Sequence, residues 1–284
     1  METELVVSKD VRSGAVSDQV RWLYDNIGWM QDEGITFDAQ SCEDLRPTSA
    51  EYVTACRRRI LRHLPDSGKR LLDMASGPIQ YPEYLEYSNG YKKRVCVDLS
   101  IRALDMAREK LGEAGEYLLG DFLEIDLAED SVDAVVSLHT IYHIDALRQA
   151  PTVRKLINVT KPGGTIVIVY ANPNYFVTAS LAPLKRFLKS RKAFNPQEPD
   201  QIYFFRFPLD WWTQFNDVAD VKIYPWRTFS TREMKSIIPG NAVGRWMLKR
   251  LFALEDCFPW FFSRVGLYPT IVLTKHLGME NGKG

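Results

Sequence analysis

The sequence of 284 residues predicts an α/β fold: a doubly wound, mostly parallel sheet with helices on both faces. Three observations carry this. From Arg70 onward, short β-branched runs alternate with segments of helical spacing. The first three runs each end on or near an aspartate, at Asp73, Asp98 and Asp121. The length and the composition, 45% hydrophobic and 25% charged, suit one large globular domain with insertions.

Taken in order, residues 1–50 are mixed and mostly polar, with Trp22, Tyr24, Trp29 and Phe37 as isolated anchors. Residues 51–64 place Tyr52, Val53, Ile60, Leu61 and Leu64 at helical spacing, and the run Pro65, Asp66, Ser67, Gly68 stops that helix. KRLLDMA is the first strand, followed by a short helix over Glu83–Ser88. KRVCVDLS is the second strand and Ile101–Leu111 the next helix. EYLLGDF and VDAVVSLHTI are the third and fourth strands, with a helix over Ala146–Val159 leading to the fifth, GGTIVIVYA. After Tyr170 the rhythm breaks into prolines, a basic run (Lys185, Arg186, Lys189, Arg191, Lys192) and aromatic residues. The last two strands are read at 219–226 and 269–276.

Lys plus Arg equals Asp plus Glu, 36 each, so the overall charge offers no footprint for nucleic acid. Cys42, Cys56, Cys96 and Cys257 form no CxxC pair and no metal-type spacing, and read as free thiols in a reducing compartment. The N-terminus shows no apolar signal region, and no stretch reaches about 18 uninterrupted apolar residues, so the expected location is the cytoplasm and no spanning helix is expected. Five of the seven tryptophans fall between Tyr203 and Trp260, either packing a long insertion or walling an apolar or sugar-like ligand.

The chemistry concentrates at strand ends. Leu71-Leu72-Asp73-Met74-Ala75-Ser76-Gly77-Pro78 ends a strand on an acid and opens a small-residue turn, which lets backbone approach a ligand. A dinucleotide fingerprint aligned on Gly77 fails, because Ala75 and Gln80 stand where glycines would be needed. Asp98, ending the next strand, can accept both hydroxyls of a ribose. Asp121 can accept from an exocyclic amine and Phe122 can flank a purine, while Lys161-Pro162-Gly163-Gly164 forms a turn.

As a set, LLDMASGPIQ, VCVDLS, LLGDF, VDAVVSLHTIYHI and VTKPGGTIVIVY resemble the successive motifs of class I S-adenosylmethionine-dependent methyltransferases over about residues 68–172. The nearest likeness is to the small-molecule branch of the ubiquinone/menaquinone-biosynthesis type. The family pattern D-x-G-x-G-x-G is here Asp73, Ala75, Gly77, Ile79, with one glycine of three kept, so Ile79 must turn its side chain away from the cofactor. The resemblance implies a Rossmann-like seven-stranded sheet, mostly parallel, with one antiparallel strand near the edge. It implies S-adenosyl-L-methionine as cofactor, with Asp73, Ala75 and Gly77 lining the methionine part, Asp98 on the ribose, and Leu99, Asp121 and Phe122 at the adenine. His139 falls where the family touches cofactor or acceptor. The expected organisation is a helical cap or lid over 1–67, the cofactor core over 68–172, acceptor-side insertions and final strands over 173–276, and a disordered tail over 277–284.

His139 and His143 stand at i, i+4 without a carboxylate or cysteine to complete a metal site, so no metal is expected. His143, His139 and Tyr142 are instead candidates for acceptor binding or general base work, beside a purely structural role. Trp22, Tyr24, Tyr203, Arg206, Trp211 and Arg227 are the candidate acceptor contacts. The basic run is either a solvated helix face or a seat for an anionic group, including a lipid headgroup at a membrane surface. The expected activity is O- or N-methyl transfer to a small molecule or saccharide, with or without a lipid carrier, and not to nucleic acid or protein. The sequence leaves oligomeric state open. A nicotinamide-dependent oxidoreductase and a non-catalytic cofactor-binding protein stand as alternatives.

Overall fold

The computed structural model describes residues 9–32, 34–176 and 202–277. The basic run at 185–192 and the tail beyond 277 lie outside the described residues.

The N-terminal part is more structured than its mixed composition suggests. Helix α1 (Lys9–Leu23) runs into a π-helical turn over Tyr24–Gly28, a short hairpin of β1 (Gln31–Asp32) with β2 (Ile35–Thr36), and helix α2 (Phe37–Cys42). Helix α3 (Ala50–Arg58) follows and tightens to a 3-10 turn over Arg59–His63.

The sheet strands are β3 (Gly68–Met74), β4 (Tyr91–Asp98), β5 (Gly115–Leu119), β6 (Val132–Leu138), β7 (Thr160–Val169), β8 (Ala219–Arg227) and β9 (Tyr268–Lys275). Their order is β5-β4-β3-β6-β7-β9-β8. Strand β9 is antiparallel to both neighbours, and the other pairings are parallel. This is the seven-stranded Rossmann-like sheet that the motifs imply. Helices α4 (Pro82–Glu86), α5 (Ile101–Leu111) and α6 (Ala146–Val159) connect the parallel strands. Helices α7 (Thr231–Ile237), α8 (Ala242–Cys257) and α9 (Pro259–Val265) fill the connection from β8 to β9.

Successive strand residues go to opposite faces, as a period of two requires. Leu72, Val135, Ile166 and Ile168 join α6, Trp212 and Phe215 in one core. Leu71, Ala134, Val136, Val167 and Val169 join Tyr52, Val53, Cys56 and Leu248 in the other. Both faces are covered, so the strands read as nearly continuous apolar runs. At 10 residues β7 is the longest strand. Its Lys161–Gly164 segment enters as an irregularity, with Val132 opposite Thr160 and Ala134 opposite Thr165.

Candidate active site

The turn after β3 carries the first half of the site. Ala75, Gly77 and Ile79 all have positive φ, at 58°, 54° and 49°. The chain thus keeps the left-handed backbone at all three positions where the family pattern has glycine, although only Gly77 is one. Ile79 resolves the side-chain problem by burying itself against Cys96, Leu104 and Ala107. At Gly77, also at positive φ, a Cβ would stand 3.2 Å from the Trp29 ring, so any larger residue would press that ring outward by a few tenths of an ångström.

Asp98 closes the cradle. Its Oδ2 accepts from the Gly77 N–H at 2.9 Å and its Oδ1 from the Ser100 N–H at 2.9 Å. Each oxygen keeps a lone pair, and the residue lines the cavity. Burial pushes its carboxyl up to about 6, against the two N–H donors. Asp73 sits beside it but is differently employed: its Oδ2 accepts from Arg94 Nε at 3.0 Å and Nη2 at 2.5 Å, in a buried pair. Arg94 is held in turn by the Tyr84 carbonyl and Ser88 Oγ. Asp73 therefore braces the turn through Arg94 while lining the cavity.

Asp121 also has protein partners. Leu123 N–H donates to Oδ1 at 3.0 Å, and Ser17 Oγ and Arg148 Nη1 donate to Oδ2 at 2.9 and 2.8 Å. Ser17 belongs to α1, so the N-terminal segment is tied to the rim of the cradle. Asp25 does the same by accepting from Ser100 Oγ. Ser17, Val20, Arg21 and Tyr24 line the cavity, spaced at i, i+3, i+4 and i+7. Tyr24 stacks on Trp29, with ring centroids 4.7 Å apart.

The cavity has a volume of about 410 Å³. It runs from Asp98, Leu99 and Phe122 to a far wall of Phe204, Trp226, Arg227 and Tyr268. His139, Tyr142 and His143 stand between. His139 directly follows β6 with φ 59°, its Nδ1 3.0 Å from Tyr142 Oη and its ring edge-on to Trp226 and Tyr268. Burial, with Arg227 nearby, lowers its pKa to about 3. His143 Nδ1 lies 2.8 Å from the Tyr203 carbonyl. A carbonyl only accepts, so Nδ1 carries the proton and Nε2 the lone pair. Burial lowers this imidazole to about 4, which keeps it neutral near pH 7.

Arg227 is buried, and its Nη1 donates to Glu43 Oε1 at 2.6 Å. Glu43 also accepts from Arg57 Nη2 at 2.9 Å. Burial works against the Glu43 carboxylate, but Arg227 and Arg57 outweigh it and hold its pKa below the ordinary value. Among the described residues Arg227 Nη2 has no hydrogen-bond partner.

The structure brings together on one cavity Asp73, Ala75, Gly77, Asp98, Leu99, Asp121, Phe122, His139, Tyr142, His143, Tyr24 and Arg227. Four expected acceptor contacts, Trp22, Tyr203, Arg206 and Trp211, do not line this cavity. Trp22 is 46% exposed and points off the face that Ser17, Val20 and Arg21 of α1 share with Tyr24 of the following turn. In the extended segment 202–205, Ile202 and Phe204 line the cavity, while Tyr203 turns away and accepts from the Ala146 N–H through its hydroxyl. Arg206 donates to the Asn172 carbonyl and lies over the Phe204 ring. Trp211 stacks on Phe207, 4.7 Å between centroids, against the core. Sequence reasoning missed Asp38, Glu43, Tyr81, Tyr84 and Tyr268 as cavity residues. Tyr81 and Tyr84 directly follow the first motif and Tyr268 opens the last strand, positions that a strand-end search could have marked.

The family described as "Methyltransferase domain" matches residues 72–168. No curated protein matches the chain in sequence. Among solved structures, phosphoethanolamine N-methyltransferase 1 of Haemonchus contortus, in complex with phosphoethanolamine and S-adenosylhomocysteine, is 12% identical with a TM-score of 0.58. That match covers 98% of this chain and 52% of the other. The protein of the "DhpI-SAM-HEP complex" is 12% identical with a TM-score of 0.54, covering 94% of this chain and 99% of the other. These likenesses establish the fold, and nothing ties the chain to the ubiquinone/menaquinone branch in particular. Both of those structures hold an S-adenosyl ligand, S-adenosylhomocysteine in the first and SAM in the second. The cradle fits such a ligand: Asp98 presents lone pairs to a ribose, the left-handed turn at 75–79 brings backbone close, and Leu99 and Phe122 offer apolar surface to a base.

Proposed function

We propose that this chain, which carries a class I S-adenosylmethionine-dependent methyltransferase domain, methylates an oxygen or nitrogen of a small, oxygen-rich acceptor such as a saccharide, free or lipid-linked. The observation that carries this reading is the continuity of one cavity from Asp98 to the wall of Arg227, Trp226 and Tyr268, with two neutral histidines between.

Bound S-adenosylmethionine supplies a methyl group already activated on a sulfonium. The protein's part is mainly alignment, an effect worth on the order of 7–11 kcal/mol in the best intramolecular cases. Asp98 would hold the ribose hydroxyls. Arg227 Nη2 donates to an acceptor oxygen, and the rings of Trp226, Tyr268 and Phe204 lie against the apolar face of a sugar or similar ring. For a hydroxyl acceptor, His143 Nε2 would take the hydroxyl proton while the bound cofactor supplied its activated methyl. His139 and Tyr142 hold that edge of the site in place through their mutual hydrogen bond. An amine acceptor needs only to arrive neutral. Phosphoethanolamine, the ligand named for the Haemonchus contortus protein, is one amine whose phosphate would suit Arg227.

The test is transfer from methyl-labelled cofactor into a metabolite and glycan extract. Label in a small polar product supports the reading, and label only in RNA or protein refutes it. Where label enters a hydroxyl, His143→Ala should lower kcat by about 100-fold with cofactor affinity nearly constant. Arg227→Met should raise the acceptor KM and leave cofactor affinity nearly constant.

A further inference from the structure

Outside the cavity, the surface with the least ordinary chemistry is formed by α8 and α9. Val243, Trp246, Leu254, Phe258, Trp260 and Phe261 are all exposed, Trp246 by 59% and Trp260 by 65%. Positions 243, 246, 250, 254 and 257 advance by three, four, four and three residues, so they form one stripe along α8 that leads to Phe258 at the start of α9. The opposite side of α8 is committed to the core through Leu248, Met247, Leu251 and Phe252.

Unpaired positive charge accompanies these rings. Between residues 231 and 265 the basic residues are Arg232, Lys235, Arg245, Lys249, Arg250 and Arg264, all exposed. Among the described residues none of the six is in an ion pair, and Arg250 lies over the Trp246 ring. The acidic residues of the same stretch are all engaged elsewhere: Glu233 with Tyr175 and Ser230, Glu255 with Arg59, Tyr52 and Thr228, and Asp256 with Arg59 and Arg62. The net chain charge is zero, so the excess of free cations here is local.

Exposed indole and phenyl rings on a helix flanked by unpaired Lys and Arg are the pattern of a segment that lies in a lipid interface, with rings at headgroup depth and cations on anionic lipid. We propose that the α8–α9 surface docks the protein on an anionic membrane. No helix among the described residues is long and apolar enough to cross a membrane, so the contact is peripheral. Helix α9 packs on β8 and β9, the strands that carry Arg227 and Tyr268 of the cavity.

Flotation with vesicles tests this. The protein should float with vesicles of equal parts phosphatidylcholine and phosphatidylglycerol and stay behind with pure phosphatidylcholine. Arg245→Gln with Lys249→Gln should weaken partitioning about fivefold per neutralised cation. Trp246→Glu with Trp260→Glu should abolish it, with melting temperature and cofactor affinity reporting that the fold is intact. If that variant does not fold, the charge-neutralised one decides. No flotation with anionic vesicles, or equal flotation of the folded variants, overturns the proposal. So does light scattering that shows a dimer which Trp246→Glu with Trp260→Glu dissociates, without vesicle binding, since the surface would then join two copies of this chain.

Discussion

Replacing Ile79 with glycine would restore the last glycine of the D-x-G-x-G-x-G pattern, and the structure expects the protein to lose stability by it. The left-handed backbone at Ile79, φ 49°, costs an L-residue about 1–2 kcal/mol, which glycine would recover. Against this, the side chain is 1% exposed and packs on Cys96, Leu104 and Ala107. Deleting a buried Ile down to Cβ costs about 2–5 kcal/mol. The freedom glycine gains in the unfolded chain costs about 0.5–1 kcal/mol more. The balance is a loss of roughly 0.5–5 kcal/mol centred near 3, or on the order of 10 °C in Tm for a domain of this size. Ala75→Gly meets the same backbone, φ 58°, with no side chain beyond Cβ to lose, and should be neutral or stabilising by up to about 1 kcal/mol. Thermal and denaturant unfolding of the two variants, followed by circular dichroism, measures both. Ile79→Gly as stable as the parent would refute the reasoning, because strain would then outweigh burial.

Asp98→Asn should weaken S-adenosylmethionine binding by roughly 1.5–3 kcal/mol, the range for hydrogen bonds to a charged group, and unchanged calorimetric affinity would remove Asp98 from the ribose. Burial sets the Asp98 carboxyl at about 6, so it is protonated below that pH and loses acceptor strength; affinity should be flat near pH 8 and fall toward about tenfold per unit below pH 6, a slope that Asp98→Asn should lack. With burial holding His143 at about 4, the acid limb of kcat for a hydroxyl acceptor should lie near pH 4, and a limb near the ordinary histidine value would exclude His143 as the base. Arg94→Met strands the buried Asp73 carboxylate and should cost about 3–5 kcal/mol in denaturant unfolding, much of it regained on adding Asp73→Asn; a loss that the second change fails to repair would mean packing, not charge, is at stake.

The amino-acid sequence by itself determined the sheet, because that information is local. Runs such as Val132–Leu138 and Thr160–Val169 are β-branched and bounded by turns, and their apolar content on both sides announces a sheet covered on both faces. The motif order also pointed to a nucleotide-type turn after β3, because Asp73, Gly77 and Asp98 lie at the carboxyl ends of adjacent strands. The rotation of side chains about that frame was not legible. Trp22, in α1, and Tyr24, which opens the π-helical turn, are two residues apart, yet the helical rotation between them puts only Tyr24 on the cavity. Tyr203 and Phe204 are neighbours in an extended segment, and the period of two puts only Phe204 there. Which parity faces inward depends on how the segment docks, and Phe205 N–H bonded to the Tyr142 carbonyl decides that. The tertiary structure alone joined Glu43 to Arg227 across 184 positions and Asp73 to Arg94 across the β3–β4 register. A charge pair is set by distance and burial in the fold, and nothing in the local pattern of either residue encodes the partner.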